Sequence, residues 1–344
     1  MRNTNEDKPV EIGRLQRVAT DHLMSQPGAP LFSRAPSSGQ RVAVVGAGPT
    51  GLSCAHRLAM LGHEVVVFDA QPKPGGLNEY GLAAYKTPDN FAQREVAWLL
   101  SIGGIGVRYG QALGSDIALT SLTADYDAVF LAVGLSGVNA LGQDGEDLHG
   151  VENAVDFIAR LRQADDFGAL PVGRRVVVLG GGMTAIDAAV QAKKLGAEQV
   201  TIVYRRGQEQ MPASAHEQAL AQNNGVLIRT WSVLEALHSA GGHLAWATFA
   251  GVQERDGRLV GTGESWTIEA DMLLKAIGQK LDADDVQGIA LQAGRIKVDA
   301  EGRTSMARVW AGGDCAFGGR DLTVEGVQQG KVAAQSIDRV LRAP

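Results

Sequence analysis

Two glycine-rich turns, one in each half of this 344-residue chain, constrain its fold more than any other feature of the sequence. Each turn follows a run of apolar residues and precedes a helical stretch and a second apolar strand. The turns are Gly46-x-Gly48-x-x-Gly51 and Gly180-x-Gly182-x-x-Ala185. Small residues at this spacing permit a tight turn and close approach of the backbone to a pyrophosphate. The sequence therefore predicts two βαβ units, each binding a dinucleotide at a helix N-terminus.

The residues that end the second strand of each unit differ between the two turns. Asp69 ends the first, where a carboxylate accepts hydrogen bonds from ribose hydroxyls and repels a 2′-phosphate. Arg205 and Arg206 end the second, and guanidinium groups pair with phosphate in bidentate geometry. This difference predicts FAD or NAD at the first site and NADPH at the second. A solvated pair of arginines at a strand end is the alternative interpretation of the second site.

Composition and cysteine content exclude several kinds of partner and chemistry. A formal net charge of -6 and 5% aromatic residues argue against nucleic acid. Residues 1–40 contain no signal-peptide pattern, and no apolar run approaches membrane-spanning length. The two cysteines, Cys54 and Cys315, form no C-x-x-C pair, so neither a redox dithiol nor a four-thiolate cluster is expected. We expect a cytoplasmic protein without a metal site, with no nucleic acid and no membrane as partner.

The order of predicted elements indicates an α/β fold with two Rossmann-like nucleotide-binding domains, in which the NADPH domain is inserted into a discontinuous FAD domain. Residues 1–40 form an amphipathic helix, with Ile12, Leu15, Ala19 and Leu23 on one face, and a linker. Residues 41–140 and 281–344 form the FAD-binding domain, and residues 141–280 the NADPH-binding domain. Within the latter, short strands from residue 226 to about 268 predict a β-meander.

The last predicted strand ends at Gly313-Asp314 and is followed by a helix from Thr323. A carboxylate in this place can bind the ribityl hydroxyls of a flavin. A helix N-terminus near the pyrimidine edge of the isoalloxazine ring stabilises the anionic reduced flavin. The alternative is that Asp314 is an ordinary turn or N-cap acid. Because the first turn and Asp69 already favour FAD, we prefer the flavin interpretation.

These motifs, taken in order along nearly the whole chain, resemble the FAD- and NADPH-binding half of the glutamate synthase small subunit family. That family includes the flavoprotein subunit of bacterial dihydropyrimidine dehydrogenase, and the chain is most similar to this type. The motifs that carry the resemblance are Val-Gly-Ala-Gly-Pro-Thr-Gly-Leu (45–52), Pro-Gly-Gly-Leu (74–77), Tyr-Asp-Ala-Val-Phe-Leu-Ala-Val-Gly (126–134), Leu-Gly-Gly-Gly-Met-Thr-Ala-Ile-Asp (179–187), Tyr-Arg-Arg-Gly (204–207), Met-Pro-Ala-Ser (211–214), Ala-Ile-Gly (276–278) and Ala-Gly-Gly-Asp (311–314).

The resemblance implies a set of cofactor contacts. On the FAD side these are Gly46, Gly48, Pro49, Gly51, Asp69, Gly76, Leu77, Lys86, Asp314 and Thr323, and on the NADPH side Gly181, Gly182, Thr184, Arg205, Arg206, Ala276 and Gly278, with Gly134 and Gly313 as further cofactor contacts. Lys86 stands where the family carries Arg or Lys near FAD, although a solvated lysine is the alternative. Met183 replaces an acidic or polar residue common in the family, which puts the local nucleotide contact in doubt.

The function implied is that of a flavoprotein oxidoreductase, in which a hydride passes from NADPH to FAD and electrons then leave for iron–sulfur clusters. Geometry, and no named catalytic residue, is expected to set the rate. Family members carry a cysteine-rich N-terminal domain, so the electron acceptor is expected on a missing domain, an iron–sulfur protein or a catalytic subunit. The alternatives are a self-contained NAD(P)H-dependent small-molecule or quinone reductase, and a non-catalytic nucleotide-binding assembly subunit.

Overall fold

The computed structural model describes residues 10–26 and 31–343, and its first element is the predicted amphipathic helix. This helix, α1 (Ile12–Ser25), has no buried residue, and the guanidinium of Arg17 lies 3.6 Å from the centroid of the Phe91 ring. Of the predicted linker, residues 27–30 lie outside the described part of the chain.

The first glycine-rich turn lies in a run of alternating strands and helices. The elements of this run are β1 (Arg41–Val45), α2 (Pro49–Met60), β2 (Glu64–Asp69), α3 (Leu77–Tyr80), α4 (Phe91–Leu100), β3 (Ile105–Tyr109), α5 (Leu119–Asp125), β4 (Ala128–Leu131) and β5 (Gly137–Val138). Strand β1 is buried over residues 42–45. An apolar strand of this kind fits a parallel sheet that is covered on both faces.

The second turn lies in a similar run, followed by longer strands. The elements are β6 (Val151–Asn153), α6 (Ala154–Gln163), β7 (Arg175–Leu179), α7 (Met183–Lys194), β8 (Gln199–Val203), α8 (Ala215–Asn223), β9 (Leu227–Arg229), β10 (Ser232–Ala240), β11 (His243–Arg255), β12 (Arg258–Glu269), β13 (Met272–Lys275) and β14 (Gln279–Lys280). The chain then forms β15 (Leu291–Gln292), β16 (Arg295–Ile296), β17 (Val309–Ala311) and α9 (Thr323–Arg342).

Two parallel five-stranded sheets carry the two turns and confirm the predicted α/β fold with an inserted domain. The first sheet has the order β17-β4-β1-β2-β3, and the second has β6-β13-β7-β8-β9. In each sheet the strand before the glycine-rich turn is central. Strand β17 pairs with β4 in the first sheet, although the whole second sheet lies between them in the chain. The FAD domain is therefore discontinuous.

Strands β5 and β14, which lie on the two chain segments that connect the halves, pair as a short antiparallel ribbon. The backbone N–H of Asn139 also donates to the carbonyl of Gly278, at 3.1 Å. The two chain connections between the domains therefore run side by side near residues 137–140 and 278–280.

The predicted β-meander is wrong at its start. Strand β9 pairs in parallel with β8 at the edge of the second sheet, since it follows α8 as the return of a βαβ crossover. Of the strands in this predicted region, β10, β11 and β12 form a three-stranded antiparallel sheet.

Helix α9 brings the C-terminal segment to the first glycine-rich turn. It packs against α2, and side chains on Gly326 and Gly330 would overlap Thr50 at the start of that helix. Glycine at both positions therefore allows the two helices to approach closely. Among the described helices, none, including the 20-residue α9, is long and apolar enough to cross a membrane.

Candidate nucleotide-binding sites

Two positions of the first glycine-rich turn, Gly46 and Gly51, leave no room for a side chain. Gly46 has φ +103°, and a Cβ there would overlap the carbonyl oxygen of Ala132, beyond the end of β4. A Cβ on Gly51 would overlap the carbonyl oxygen of Gly46, so the third glycine allows helix α2 to pack on the turn. Pro49 takes the first helical position, where its missing N–H is not needed. These roles match those that the fingerprint predicts.

The middle glycine of the first turn has a different role. A Cβ on Gly48 would have no protein atom closer than 3.8 Å, so its outer side faces open space. The loop at Gly75 and Gly76 lies against it: the Gly75 N–H donates to the Ala47 carbonyl at 2.8 Å, and a Cβ on Gly76 would come within 2.7 Å of the Gly48 Cα. Two stretches of bare backbone thus form a cradle that fits the pyrophosphate of a dinucleotide.

Asp69 lies at the end of β2, next to this cradle, as predicted. It is 9% exposed, and its two carboxylate oxygens accept hydrogen bonds from the N–H groups of Ala47 at 2.5 Å and Gln71 at 2.8 Å. Burial raises the pKa of Asp69, and these hydrogen bonds oppose the rise. Asp69 therefore also fixes the turn, and its contact with a ribose remains a prediction.

The C-terminal segment completes the first site. Gly313 lies against α2, since a Cβ there would come within 2.6 Å of Thr50 Oγ1, and its N–H donates to the Gln329 side chain at 2.6 Å. The carboxyl of Asp314 is half-buried, and burial followed by the charge of Asp321 raises its pKa. Thr323 at the start of α9 and Pro49 at the start of α2 both line a cavity of about 540 Å³, whose wall is formed mainly by α2, α4 and α9 and does not include Asp314. The structure thus brings the three predicted FAD segments together.

Gly134 and Leu77 also lie near this site. Gly134 has φ +65°, and the Val133 and Gly134 N–H groups face the sulfur of Cys315. Leu77 begins α3 directly after Gly76, and 46% of the residue is exposed. The cofactor contacts of Gly134 and Leu77 remain predictions.

Neither cysteine is placed for thiol chemistry. Cys54 on α2 and Cys315 after β17 are both buried and unpaired. Burial raises the pKa of Cys54 well above its usual value, and burial likewise raises the pKa of Cys315, to about 11. The prediction that both are packing residues is supported by this burial.

We expect the folded protein to resist thiol reagents, because the thiolate is the reactive form and a pKa near 11 leaves about one thiol in a thousand ionised at pH 8. Titration with an aromatic disulfide reagent at pH 8 should show no fast-reacting thiol in native protein. Two thiols should react in denaturant, which serves as the control. A stoichiometric fast reaction of native protein would contradict the assignment.

The second turn repeats the geometry of the first. Gly180 has φ +138°, and a Cβ there would overlap the carbonyl oxygen of Ala276, as Gly46 would overlap that of Ala132. A Cβ on Gly181 would approach the ring of Tyr204 to 2.6 Å, whereas one on Gly182 would meet nothing within 4 Å. The open side of Gly182, with α7 beginning at the next residue, fits a second phosphate group.

The remaining predicted NADPH contacts surround this turn. Thr184 lies in the first turn of α7 and is half-buried. Ala276 follows β13 beside Gly180, and Gly278, two residues further, is exposed with φ +98°. Met183 is 48% exposed at the start of α7, so an apolar side chain stands at the mouth of this site.

Arg205 and Arg206 lie just beyond the end of β8. Arg205 is exposed and Arg206 is half-buried. Across residues 10–26 and 31–343, neither side chain has an ion-pair partner. Twelve other arginines of this part of the chain do: Arg14, Arg17, Arg34, Arg160, Arg162, Arg174, Arg175, Arg295, Arg303, Arg320, Arg339 and Arg342. Two unpaired guanidinium groups at the strand end fit the 2′-phosphate of NADPH.

The ammonium group of Lys86, a predicted FAD contact, binds carboxylates of the second domain. The ammonium nitrogen lies 2.7 Å from Asp187 Oδ1 on α7 and 3.0 Å from Glu217 Oε1 on α8. Both partners belong to the second domain, so these contacts do not support a role for Lys86 at FAD. Nor is it a solvated lysine, because its side chain is only 22% exposed.

Asp187 and Glu217 were not predicted as functional residues. Asp187 is 2% exposed, on a helix whose residues 185–192 are all buried. A charged residue in the middle of such an apolar helix is the signal that indicates a buried partner. The sequence does not show which cation that partner is.

Comparisons with known proteins agree with this geometry. The family model described as pyridine nucleotide-disulphide oxidoreductase matches residues 40–330. The chain is 33% identical to NAD-dependent dihydropyrimidine dehydrogenase subunit PreT of Salmonella typhimurium, over 97% of this chain and 76% of the relative. It is 32% identical to the glutamate synthase [NADPH] small chain of Escherichia coli, over 95% of this chain and 74% of the relative.

Other relatives are longer. The NADP(+)-dependent formate dehydrogenase subunit beta of Moorella thermoacetica is 32% identical over 99% of this chain, which spans 52% of that relative. Among solved structures, Mycobacterium tuberculosis FprA in complex with NADPH matches with a TM-score of 0.72 and 18% identity, over 89% of this chain and 84% of FprA. At that identity the match shows a shared fold.

Proposed function

We propose that this chain, which belongs to the pyridine nucleotide-disulphide oxidoreductase family, passes electrons from NADPH to a separate iron–sulfur acceptor. It is a flavoprotein oxidoreductase of the glutamate synthase small chain type that uses FAD and NADPH. One observation carries the proposal: two glycine cradles of matching geometry lie in one chain, and Arg205 and Arg206, which form no ion pair among the described residues, lie at the strand end beside the second. Two different nucleotide sites in one chain fit the transfer of electrons from one bound nucleotide to the other.

The residues of this chain bind and orient the two nucleotides. Bound FAD would supply a flavin that can take up a hydride equivalent from NADPH and give up the two electrons one at a time. Gly48 and Gly182 admit the two pyrophosphates, and Arg205 and Arg206 select the 2′-phosphate. The N-terminus of α9 at Thr323 presents N–H groups and a positive helix end to the first site.

We propose a partner or a further domain as the electron acceptor because the chain has no thiol chemistry of its own. Both cysteines are buried, so a dithiol route is closed. The relatives are named as subunits or small chains, which supports a partner protein. Their names also differ between NAD and NADP, so the arginine pair, rather than the family, is our reason for choosing NADPH.

We also propose the domain limits 41–140 with 281–344 for FAD and 141–280 for NADPH, preceded by residues 1–40. The β5–β14 ribbon supports the two inner limits, because it holds the crossing segments together near residues 138 and 279. The pairing of β17 with β4 supports the assignment of the C-terminal part to the FAD domain.

The test is anaerobic titration of the FAD-loaded chain with NADPH, followed by its turnover with artificial electron acceptors. We expect NADPH to bleach the flavin, and ferricyanide to be reduced in steady state without any conversion of pyrimidines or of glutamine with 2-oxoglutarate. Turnover of either substrate by the isolated chain would contradict the need for a partner. Fast reduction of dioxygen or a quinone would favour a self-contained reductase, and failure to bleach would favour a non-catalytic binding subunit.

A further inference from the structure

We propose that Lys86 is a positioning residue that holds the NADPH domain against the FAD domain, so that the two nucleotides meet in a fixed geometry. This inference rests on the proposed function, because it concerns the relative placement of the two sites named there. Lys86 lies in the loop between α3 and α4 of the first domain. Its ammonium group binds carboxylates on two different helices of the second domain, Asp187 on α7 and Glu217 on α8.

The ion pair is shielded from water. The side chain of Asp187 is 3% exposed and that of Glu217 is 15% exposed. Burial would lower the pKa of Lys86, but hydrogen bonds and charges from Asp187 and Glu217 outweigh burial and raise it. Lys86 therefore stays protonated at neutral pH. Removing one partner of such a buried pair leaves an uncompensated buried charge, so a substitution that breaks the pair disturbs this contact strongly.

The same loop makes further contacts with α7. The Ala83 N–H donates to Asp187 Oδ2 at 3.2 Å, and the Ala84 N–H donates to Gln191 Oε1 at 3.0 Å. The Tyr85 hydroxyl donates to Asp187 Oδ1 at 3.2 Å, and its ring packs against the apolar core of the second domain. Asp187 therefore accepts from three donors of this loop: the Ala83 N–H, the Tyr85 hydroxyl and the Lys86 ammonium.

This contact joins the two glycine cradles through short segments of the chain. Helix α7 begins directly after Gly182, and Asp187 lies about one turn further along it. The loop follows the short helix α3, which begins directly after Gly76, and Gly76 touches Gly48 of the first cradle. A shift of about 1 Å between reacting groups can reduce a rate about 100-fold. Lys86 is therefore placed to control how the nicotinamide meets the flavin without contacting either one.

A second clamp holds the loop independently of Lys86. The guanidinium of Arg162 on α6 donates to the Glu79 carbonyl at 2.8 Å, to the Asn78 carbonyl at 3.2 Å and to Thr87 Oγ1 at 2.7 Å. Because Arg162 belongs to the second domain, this clamp keeps α3 and Thr87 attached to that domain when Lys86 is changed. Variants at Lys86 consequently test the orientation of the domains rather than their attachment or the folding of the loop.

The experiment compares Lys86→Met, Lys86→Arg and Glu217→Gln with the unmodified chain. Lys193→Met is the matched control. Lys193 lies on α7, the helix of Asp187, but its ammonium binds the Ala197 and Glu198 carbonyls of its own domain. Three quantities are measured: amide hydrogen exchange of residues 83–87 without nucleotide, the flavin reduction rate at saturating NADPH, and the NADP⁺ dissociation constant.

We expect Lys86→Met to speed exchange at the Ala83 and Ala84 amides and to slow flavin reduction about 10- to 100-fold. The NADP⁺ dissociation constant should change less than about threefold. Glu217→Gln should give a smaller loss, Lys86→Arg should restore most of the rate, and Lys193→Met should change nothing.

Unchanged exchange and rate in Lys86→Met would overturn the proposal. A weaker NADP⁺ complex or loss of FAD, with an unchanged reduction rate, would also overturn it, because Lys86 would then contact a cofactor directly. If NADPH does not reduce the flavin of the unmodified chain, the proposed function fails instead. The exchange measurement on the nucleotide-free protein would still decide whether Lys86 holds the domains together.

Discussion

Gly48→Ala is expected to lose FAD while the apoprotein stays folded. Gly48 has φ -76° and ψ 178°, which alanine adopts without strain, and a Cβ there has no protein atom closer than 3.8 Å. The added methyl group projects into the cradle where the pyrophosphate is expected to lie. We expect the FAD dissociation constant to rise about 10- to 100-fold, or about 1.4–2.8 kcal/mol. Flavin content after gel filtration and fluorescence titration of the apoprotein measure this.

Gly182→Ala is the matched variant in the second turn. Gly182 has φ -87° and ψ 178°, and its Cβ would meet nothing within 4 Å. This variant should retain FAD and raise the KM for NADPH by a similar factor. The two equivalent substitutions therefore separate the two sites in one experiment.

Gly257→Ala, at a hairpin tip, would not be a fair control for these variants, because its φ of +73° disfavours alanine. Gly106→Ala on β3 is suitable, since a Cβ there would meet nothing within 4 Å and its φ is not in the left-handed region. It should change neither cofactor. If Gly48→Ala kept FAD with unchanged affinity, the first cradle would not be a pyrophosphate site.

Much of the fold could be predicted because its signals are local. A valine-rich strand, a glycine turn and a helix follow one another within about 20 residues in both units, so β1–α2 and β7–α7 are readable from the sequence alone. The return of the C-terminal segment to the first sheet was also predictable, because the Gly313-Asp314 motif has a known role beside the first fingerprint. Strand β9 was misassigned because a three-residue edge strand carries almost no periodic signal.

The partners of Lys86 could not be predicted, for a physical reason. Lys86 is separated from Asp187 and Glu217 by 101 and 131 residues, and their contact depends on how the inserted domain packs against the first. A pattern within one strand or helix carries no information on that packing. The family motif at Lys86 indicated that the residue matters, but it did not indicate which domain the side chain faces.

Changing Arg205 and Arg206 together to alanine is expected to remove the preference for NADPH. Each guanidinium can form a charge-assisted hydrogen bond to the 2′-phosphate, and such bonds contribute about 1.5–3 kcal/mol apiece. Solvent screens part of this contribution, because Arg205 is exposed and Arg206 only half-buried. A net preference of about 10- to 100-fold in kcat/KM is therefore expected for the unmodified protein.

In the double variant, the KM for NADPH should rise far more than that for NADH, while kcat changes little, because the 2′-phosphate lies far from the reacting atoms. Arg229→Ala is the control at the same edge of the sheet. Its guanidinium stacks on the Trp266 ring at 3.4 Å, and so it is already engaged within the protein.

The effect of ionic strength on the preference for NADPH over NADH tests independently whether the arginine charges select the cofactor. Raising the ionic strength should narrow the preference of the unmodified protein and leave the double variant almost unaffected, since screening acts only on the charged contacts. Equal use of NADH and NADPH by the unmodified protein at low salt would show that the two arginines do not select the cofactor. The assignment of NADPH to the second site would then be wrong, although the two glycine cradles would still predict two bound nucleotides.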